Sequence, residues 1–333
     1  MATVIRVERA DEVAVAQRGA SAPAIETREL AKRYRTTTAL AGLTMAVPRG
    51  EVFGFLGPNG AGKTTSVKLL LGLTRPTGGE GWMLGAPLGD RVARRRVGYL
   101  PELFRYQDWL SAREVLALHC ELAGIPRERR AGEAQAALET VGLADRAGDR
   151  VGTFSKGMQQ RLGLGAALLG RPELVLLDEP TSALDPVGRH DVREIIRALK
   201  ARGTTVFLNS HLLTEVESVC DRVAVIDHGR VIALGTMAEV LGETHTLRLR
   251  LAGLSADGEA ALSRRGAIAG ADGWYTIGGI DEDAVPDLIA EVVRLGARVY
   301  AVEPGHQTLE ERFLQLLKGV HHAAAHDRAP DPA

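Results

Sequence analysis

The sequence predicts an α/β fold, with a mostly parallel sheet flanked by helices over residues 24–242 and a small α+β domain over residues 243–319. Three observations lead there. Between residue 24 and about residue 235, short β-like apolar runs alternate with helical ones, the pattern of parallel strands joined through helices. Four of those runs are almost uninterruptedly apolar, as strands covered on both faces are. After Gly235 the pattern changes to alternating strands separated by amphipathic helices, in the order of a split βαβ unit.

Taken in order, residues 1–23 carry no sustained periodicity and include Gly19-Ala20-Ser21-Ala22-Pro23. They are expected to form a mobile extension. Val52-Phe53-Gly54-Phe55-Leu56 is the first legible strand, followed by Leu174-Val175-Leu176-Leu177, Thr205-Val206-Phe207-Leu208 and Val223-Ala224-Val225-Ile226. Between the first two lies a helix-rich insertion, about residues 101–170. Within it Ser111, with Glu114 three residues on, is a capping box, and Val115, Leu116, Leu118 and Leu122 follow as the apolar residues of its helix. In the last domain Leu247, Leu249 and Leu251 alternate as in a half-buried strand. A helix near 259–265, a strand near 274–277, a helix near 283–295 and a strand at 298–302 come next. An amphipathic helix over 309–317, including Phe313, closes the domain. Residues 320–333 contain His321, His322 and His326 and end Pro-rich, which reads as a disordered tail more than as a metal site.

At 333 residues the chain is about twice a typical domain length, enough for one large and one smaller core. Basic and acidic residues number 41 and 42, so no global field favours nucleic acid, and no nucleic-acid partner is expected. There is no apolar stretch of about 18 residues or more. Arg6, Glu8, Arg9, Asp11 and Glu12 stand where a signal peptide needs an apolar run, so a cytoplasmic location is expected. Cys120 and Cys220 lack metal-ligand spacing and sit in apolar segments, the pattern of buried free thiols.

The strongest local signal is Gly57-Pro58-Asn59-Gly60-Ala61-Gly62-Lys63-Thr64-Thr65, between the strand ending at Leu56 and a helix expected to run to about Leu73. This is the phosphate-binding loop pattern in its required strand–loop–helix context. Glycines let the backbone wrap phosphate groups, and the helix start adds free N–H groups and positive potential. Lys63 is expected on the β- and γ-phosphates, and the Thr64 hydroxyl on Mg²⁺. The second signal is Asp178-Glu179-Pro180 at the end of the 174–177 strand, where open α/β sheets place their ligands. Asp178 is expected to hold the magnesium and Glu179 to orient and deprotonate the attacking water.

A phosphate loop alone leaves kinases, GTPases, motors and transporters open. Further residues narrow the choice: Phe154-Ser155-Lys156-Gly157-Met158-Gln159-Gln160, one helix before the Asp178 strand; Ser182-Ala183-Leu184-Asp185 after Pro180; His211 after the strand ending at Leu208; and Tyr34 upstream of the loop. In this order, across residues 24–235, they resemble the ATP-binding cassette of ABC transporters. The match is to the signature, the D-loop, the switch histidine and the adenine-stacking aromatic. The resemblance implies a P-loop NTPase cassette with an antiparallel β edge and a helical subdomain at about 101–170. It also implies ATP and Mg²⁺ as cofactors, a head-to-tail homodimer and a separate integral-membrane permease, which would hold the chain at the inner face of the cell membrane. In such a dimer the Ser155 signature, with Lys156, Gly157, Met158 and Gln159, meets the phosphates held by the other subunit, and Lys63, Glu179 and His211 form the catalytic set.

Two positions depart from the family pattern. Met158 replaces the usual glutamine and so removes the third-position partner of a capping box. Signatures of this KGM type are similar to those of the exporter branch that includes daunorubicin-resistance-like and other multidrug pumps, which implies efflux of drug, antibiotic or lipid-like molecules. Glu102 occupies the place of the family's glutamine loop. A carboxylate there can still ligate Mg²⁺ but adds negative charge near the phosphates. Beyond it, Phe104, Arg105, Tyr106 and Trp109 have two readings, as the groove for a permease's coupling helix or as packing within the insertion. The other functional classes are a soluble ABC ATPase acting on translation or DNA, which usually carries two cassettes or added modules, and an importer cassette.

Overall fold

The four apolar runs form the centre of one seven-stranded sheet in the computed structural model, which describes residues 5–6, 22–242, 246–280, 282–305 and 308–326. In chain order the first part consists of β1 (Ile5–Arg6), β2 (Ile25–Tyr34), β3 (Thr37–Val47), β4 (Val52–Leu56), α1 (Lys63–Leu70), β5 (Gly78–Met83), β6 (Ala86–Pro87), α2 (Arg91–Arg94) and β7 (Val97–Leu100). The insertion supplies α3 (Ala112–Leu122), α4 (Arg127–Thr140) and α5 (Lys156–Ala167). The chain returns through β8 (Leu174–Asp178), α6 (Pro186–Ala201), β9 (Thr205–Asn209), α7 (Leu213–Val219), β10 (Arg222–Asp227), β11 (Arg230–Thr236) and α8 (Met237–Leu241).

The large sheet has the order β1-β11-β10-β4-β9-β8-β7, parallel at every pairing except β10 with β11. Every residue of β4, β8 and β9 is buried, which explains why these strands read as continuous apolar runs. Phe207 on β9 lies between Phe53 and Phe55 of β4, with ring centroids 5.9 and 5.1 Å away. The ladder pairs Phe55 with Asn209 and Asn209 with Asp178, so the end of β4 and the end of β8 flank a common point at the carboxyl edge of the sheet. A second, antiparallel sheet, β3-β2-β5-β6, shares its core with α1 through Ile25, Leu40, Met45, Val67 and Leu70.

In the insertion the capping box forms as expected. Ser111 Oγ accepts from the Glu114 amide at 3.3 Å, and Glu114 returns the bond to the Ser111 amide at 2.8 Å. Ala112, Val115, Leu116 and Cys120 are buried along one helical face. Leu118 and Leu122 fall on the other side of the 3.6-residue period and are exposed. Both cysteines are free and buried. Among the described residues no helix is long and apolar enough to cross a membrane.

Two expected boundaries need correction. Within the predicted 1–23 extension, Ile5 and Arg6 form β1, parallel to Ala233 and Leu234 of β11; the backbone groups on that edge of β11 recruit the pair. Residues 1–4 and 7–21 lie outside the described residues. At the other end the closing helix does not stop at 317 but runs Leu309–His326, taking in the first seven residues of the expected disordered tail. Ala323, Ala324 and Ala325 are strong helix formers, and no proline interrupts the chain before Pro330. Residues 327–333 lie outside the described residues.

The chain divides into two compact units, one reaching to Val240 and resuming at Gln315, the other Leu241–Leu314. The second unit contains β12 (Thr246–Ala252), α9 (Ala256–Arg264), β13 (Ile268–Ala269), β14 (Trp274–Gly278), α10 (Val285–Arg294), β15 (Arg298–Gly305) and the start of α11 (Leu309–His326). Its sheet is antiparallel throughout, in the order β13-β14-β12-β15. With the two-residue β13 added to the predicted elements, the connectivity is βαββαβ. Leu247, Leu249 and Leu251 all face its core, against Leu262, Leu288 and Val292 from the two helices. Leu249→Ala is therefore expected to destabilise this unit by about 2–5 kcal/mol, read as a shift in its chemical denaturation midpoint.

Candidate functional site

The loop after β4 is shaped by close approaches that only glycine permits. Gly62 has φ 105°, and a Cβ there would lie 2.6 Å from the Ala39 carbonyl; at Gly57 a Cβ would lie 2.5 Å from the Ile226 carbonyl. The Ala61 carbonyl accepts from the Gly229 amide at 2.8 Å, so the loop is gripped by the turn between β10 and β11. Lys63 begins α1 and reaches back over the loop, donating to the carbonyls of Gly57 at 2.6 Å and Pro58 at 3.2 Å. Burial holds its ammonium below the ordinary lysine value, against the pull of Glu179, Asp178 and Glu102. The helix has no side-chain cap at Gly62, which leaves its first N–H groups to an anion.

At the end of β8, Asp178 is buried, with Asn209 Nδ2 donating to its Oδ1. Burial raises its carboxyl above the usual value; Glu102 and Glu179 add to that, while Asn209 and Lys63 oppose it. Glu179, the next residue, sits at φ 53°, a left-handed conformation that costs a non-glycine residue about 1–3 kcal/mol. Its surroundings hold it there. The Glu179 amide donates to the Asn209 carbonyl at 2.8 Å, and its own carbonyl accepts from Gln160 Nε2 at 3.3 Å and Ser182 Oγ at 3.1 Å. The turn points the carboxylate at His211, which donates its backbone N–H to Oε1 at 3.0 Å and holds Nδ1 2.7 Å from Oε2. An ionised carboxylate only accepts, so in the neutral imidazole Nδ1 carries the proton and Nε2 is left as the acceptor.

A cavity of about 620 Å³ joins these groups. The phosphate loop contributes Pro58, Asn59, Gly60 and Gly62 to its wall, α1 contributes Lys63, Thr64 and Thr65, and Glu102, Glu179 and His211 complete the predicted part. Gly57, Ala61 and Asp178 stand behind that wall. Tyr34 is not among the lining residues. It lies at the end of β2, opposite Thr37, with the Lys32 ammonium 4.9 Å from its ring, and it is Thr37, Thr38 and Ala39 that reach the cavity.

Sequence reasoning missed those three residues and Asn209, and it named Gln160 only as part of the signature, without its contact to Glu179. The signal for Asn209 was a polar residue ending an apolar strand; for Gln160 it was an amide one helical turn after Lys156, which the structure buries.

The signature and the D-loop form a separate face, and neither lines the cavity. Ser155 caps α5, its Oγ accepting from the Met158 amide at 3.2 Å, and Ser155 and Lys156 are exposed. Gln159 Nε2 donates to the carbonyls of Val151 and Phe154 at 3.4 and 3.5 Å, which fixes the approach to the cap. A Cβ on Gly157 would lie 3.2 Å from Leu184, so the helix start rests on the D-loop. Within that loop Ala183 is exposed, Leu184 is buried and Asp185 caps α6 by accepting from the Gly188 amide at 2.8 Å.

Beyond Glu102 the aromatic residues divide. Phe104 lies tilted against Tyr106 with ring centroids 5.3 Å apart and packs against Gly163 of α5, and Tyr106 meets His119 edge-on at 5.6 Å. Burial pushes the Tyr106 phenol up to about 12. Those two belong to the packing of the insertion, whereas Arg105 and Trp109 are exposed.

The donor chemistry suits a hard cation. Thr64 supplies a hydroxyl, Asp178 a carboxylate, and Asn209 Oδ1 is buried without a hydrogen-bond partner. Among the described residues no group of three or more His, Cys, Asp or Glu could hold a metal. Thr64 and Asp178 alone suffice for Mg²⁺, which takes one or two protein ligands and completes its shell with phosphate oxygens and water.

Comparison with known proteins agrees with this geometry. Residues 40–182 match the family model described as ABC transporter. An ABC transporter ATP-binding protein of Nostoc sp. is 41% identical over 88% of this chain and 90% of its own. The daunorubicin/doxorubicin resistance ATP-binding protein DrrA of Streptomyces peucetius is 37% identical over 88% of this chain and 92% of its own. A solved ATP-binding subunit of an ABC transporter superposes with a TM-score of 0.60 at 32% identity, covering 65% of this chain and 91% of that one.

Proposed function

The chain belongs to the ABC transporter ATP-binding proteins, and from that premise we propose that it is the ATP-hydrolysing subunit of an exporter, working as a head-to-tail homodimer on a separate membrane permease. Cassettes of this family bind ATP with magnesium, hydrolyse it, dimerise and partner with permeases. DrrA is named for daunorubicin and doxorubicin resistance, and a drug, antibiotic or lipid-like molecule is the matching cargo here. The permease would hold this subunit at the inner face of the cell membrane.

Each residue has a role in that reading. Lys63 and the N–H groups at the start of α1 bind the phosphates. Thr64 and Asp178 would hold Mg²⁺, with Glu102 beside them; the ion neutralises charge on the phosphate oxygens when bound. Glu179, fixed by His211, takes the proton of the attacking water, and His211 lines the same cavity with its Nε2 left as an acceptor. Thr37, Thr38 and Ala39, rather than Tyr34 alone, form the wall on the nucleoside side. Arg105 and Trp109 are the exposed residues left to meet the permease.

The single observation that carries the dimer is that the Ser155 cap, a ready anion site, lies outside the cavity formed by its own chain. It therefore serves a second copy. Lys63→Ala and Ser155→Arg should each abolish hydrolysis, while an equal mixture should recover up to about a quarter of wild-type turnover, because half the dimers regain one intact centre of two. A mixture as inactive as its components would refute the shared centre.

A further inference from the structure

We propose that Arg193 and Glu215 are a positioning pair that ties the segment carrying His211 to the segment carrying Ser182–Asp185, so that the two respond to nucleotide as one piece. The proposal rests on the ATPase reading above and adds a residue pair remote from the cavity wall.

The geometry is a closed circuit. At its near end Glu179 holds both segments, His211 through its carboxylate and Ser182 through its carbonyl. From there the segments diverge into two helices. Asp185 caps α6, and α7 begins at Leu213, two residues after His211. At the far end the helices meet again. Arg193 Nε of α6 lies 3.7 Å from Glu215 Oε2 of α7, and both atoms are buried with no hydrogen-bond partner. A second tie runs alongside, from Arg197 Nη2 to the Ser218 carbonyl at 3.2 Å.

Two features make the pair more than a surface ion pair. The Glu215 side chain is only 10% exposed, so its carboxylate is compensated chiefly by Arg193, itself 29% exposed, and removing Arg193 strands it. In addition, α7 is seven residues long and has no side-chain cap at Leu212. A helix that short does not hold its own direction and takes it from tertiary contacts. Among those contacts the Arg193–Glu215 pair joins two opposite charges, and it acts directly on the helix that follows His211. Movement of His211 with the reacting phosphate therefore carries α7, and through the pair α6 and the D-loop on the face that meets a second subunit.

The test uses the full-length chain, measuring turnover at saturating ATP, nucleotide affinity and thermal melting for Arg193→Met, Glu215→Gln and the double variant. Each single change is expected to lower kcat about tenfold, within the range that misplacement of a catalytic group produces. ATP affinity should stay within about twofold, and the double variant should be no slower than the slower single, as coupled residues require. Single variants that fold and keep kcat within about twofold of wild type would overturn the pairing, as would losses that follow affinity or the folded fraction alone. Should a single variant fail to fold, the charge swap Arg193→Glu with Glu215→Arg decides: recovery of the fold and of about a third or more of turnover supports the pair, and a lower value refutes it. A wild-type chain that binds ATP without hydrolysing it would instead remove the ATPase reading itself.

Discussion

Glu179→Gln is expected to bind ATP normally and hydrolyse it about 10²- to 10⁴-fold more slowly than the wild type, the range that general-base assistance supplies. The substitution preserves shape and removes only the ability to take a proton. The strained backbone at Glu179 is held by Asn209, Gln160 and Ser182 through main-chain groups, none of which depends on the carboxylate, so the fold should survive. The amide oxygen can still accept from the His211 N–H. Its NH₂, however, now opposes Nδ1 and forces the imidazole into its other tautomer. With binding intact and chemistry slow, the closed dimer should accumulate when ATP is added. Single-turnover hydrolysis together with size-exclusion chromatography in ATP would check both halves, and turnover at the wild-type rate would remove Glu179 from the role of base.

Lys63→Ala should fail earlier in the cycle, at binding. The ammonium is half-buried, lies over the loop and is, among the described residues, the one lysine or arginine side chain that lines the cavity. Truncating one partner of a buried, hydrogen-bonded charge contact costs about 2 kcal/mol or more, at least about 30-fold in Kd. Calorimetric titration with ATP would measure it. Lys68→Ala serves as the control, since Lys68 is exposed on the same helix and should leave Kd unchanged. A Lys63 variant that binds as tightly as the control would show that the backbone N–H groups alone carry the phosphates.

What could be read from the residues alone follows a physical division. The phosphate loop was legible because its function is carried by contiguous backbone, and glycine spacing encodes backbone geometry directly. Asp178 and Glu179 were legible because an apolar strand delivers them to a known edge of the sheet. Asn209 was not, because its meeting with Asp178 is a matter of register between β8 and β9, and register is written in no single segment. Thr37–Ala39, and the contact of Gln160 with Glu179, likewise depend on segments far apart in the chain meeting in space. The two-residue strands β1 and β13 are too short to show a period. Leu118 and Leu122 are apolar residues on the exposed side of α3, and hydrophobicity without its phase says only that a helix is present.

The turn between β10 and β11 has a consequence for biosynthesis. It grips the phosphate loop through the Gly229 amide, with the Ile226 carbonyl of β10 close against Gly57, and β4 itself lies between β10 and β9, strands translated much later. A growing chain that has emerged only as far as Lys63 holds the nucleotide motif without the scaffold that shapes it. Competence to take up ATP thus arrives late in translation, once the chain past residue 229 has cleared the ribosome, and prematurely terminated products would be silent bystanders rather than competitors for the cell's ATP.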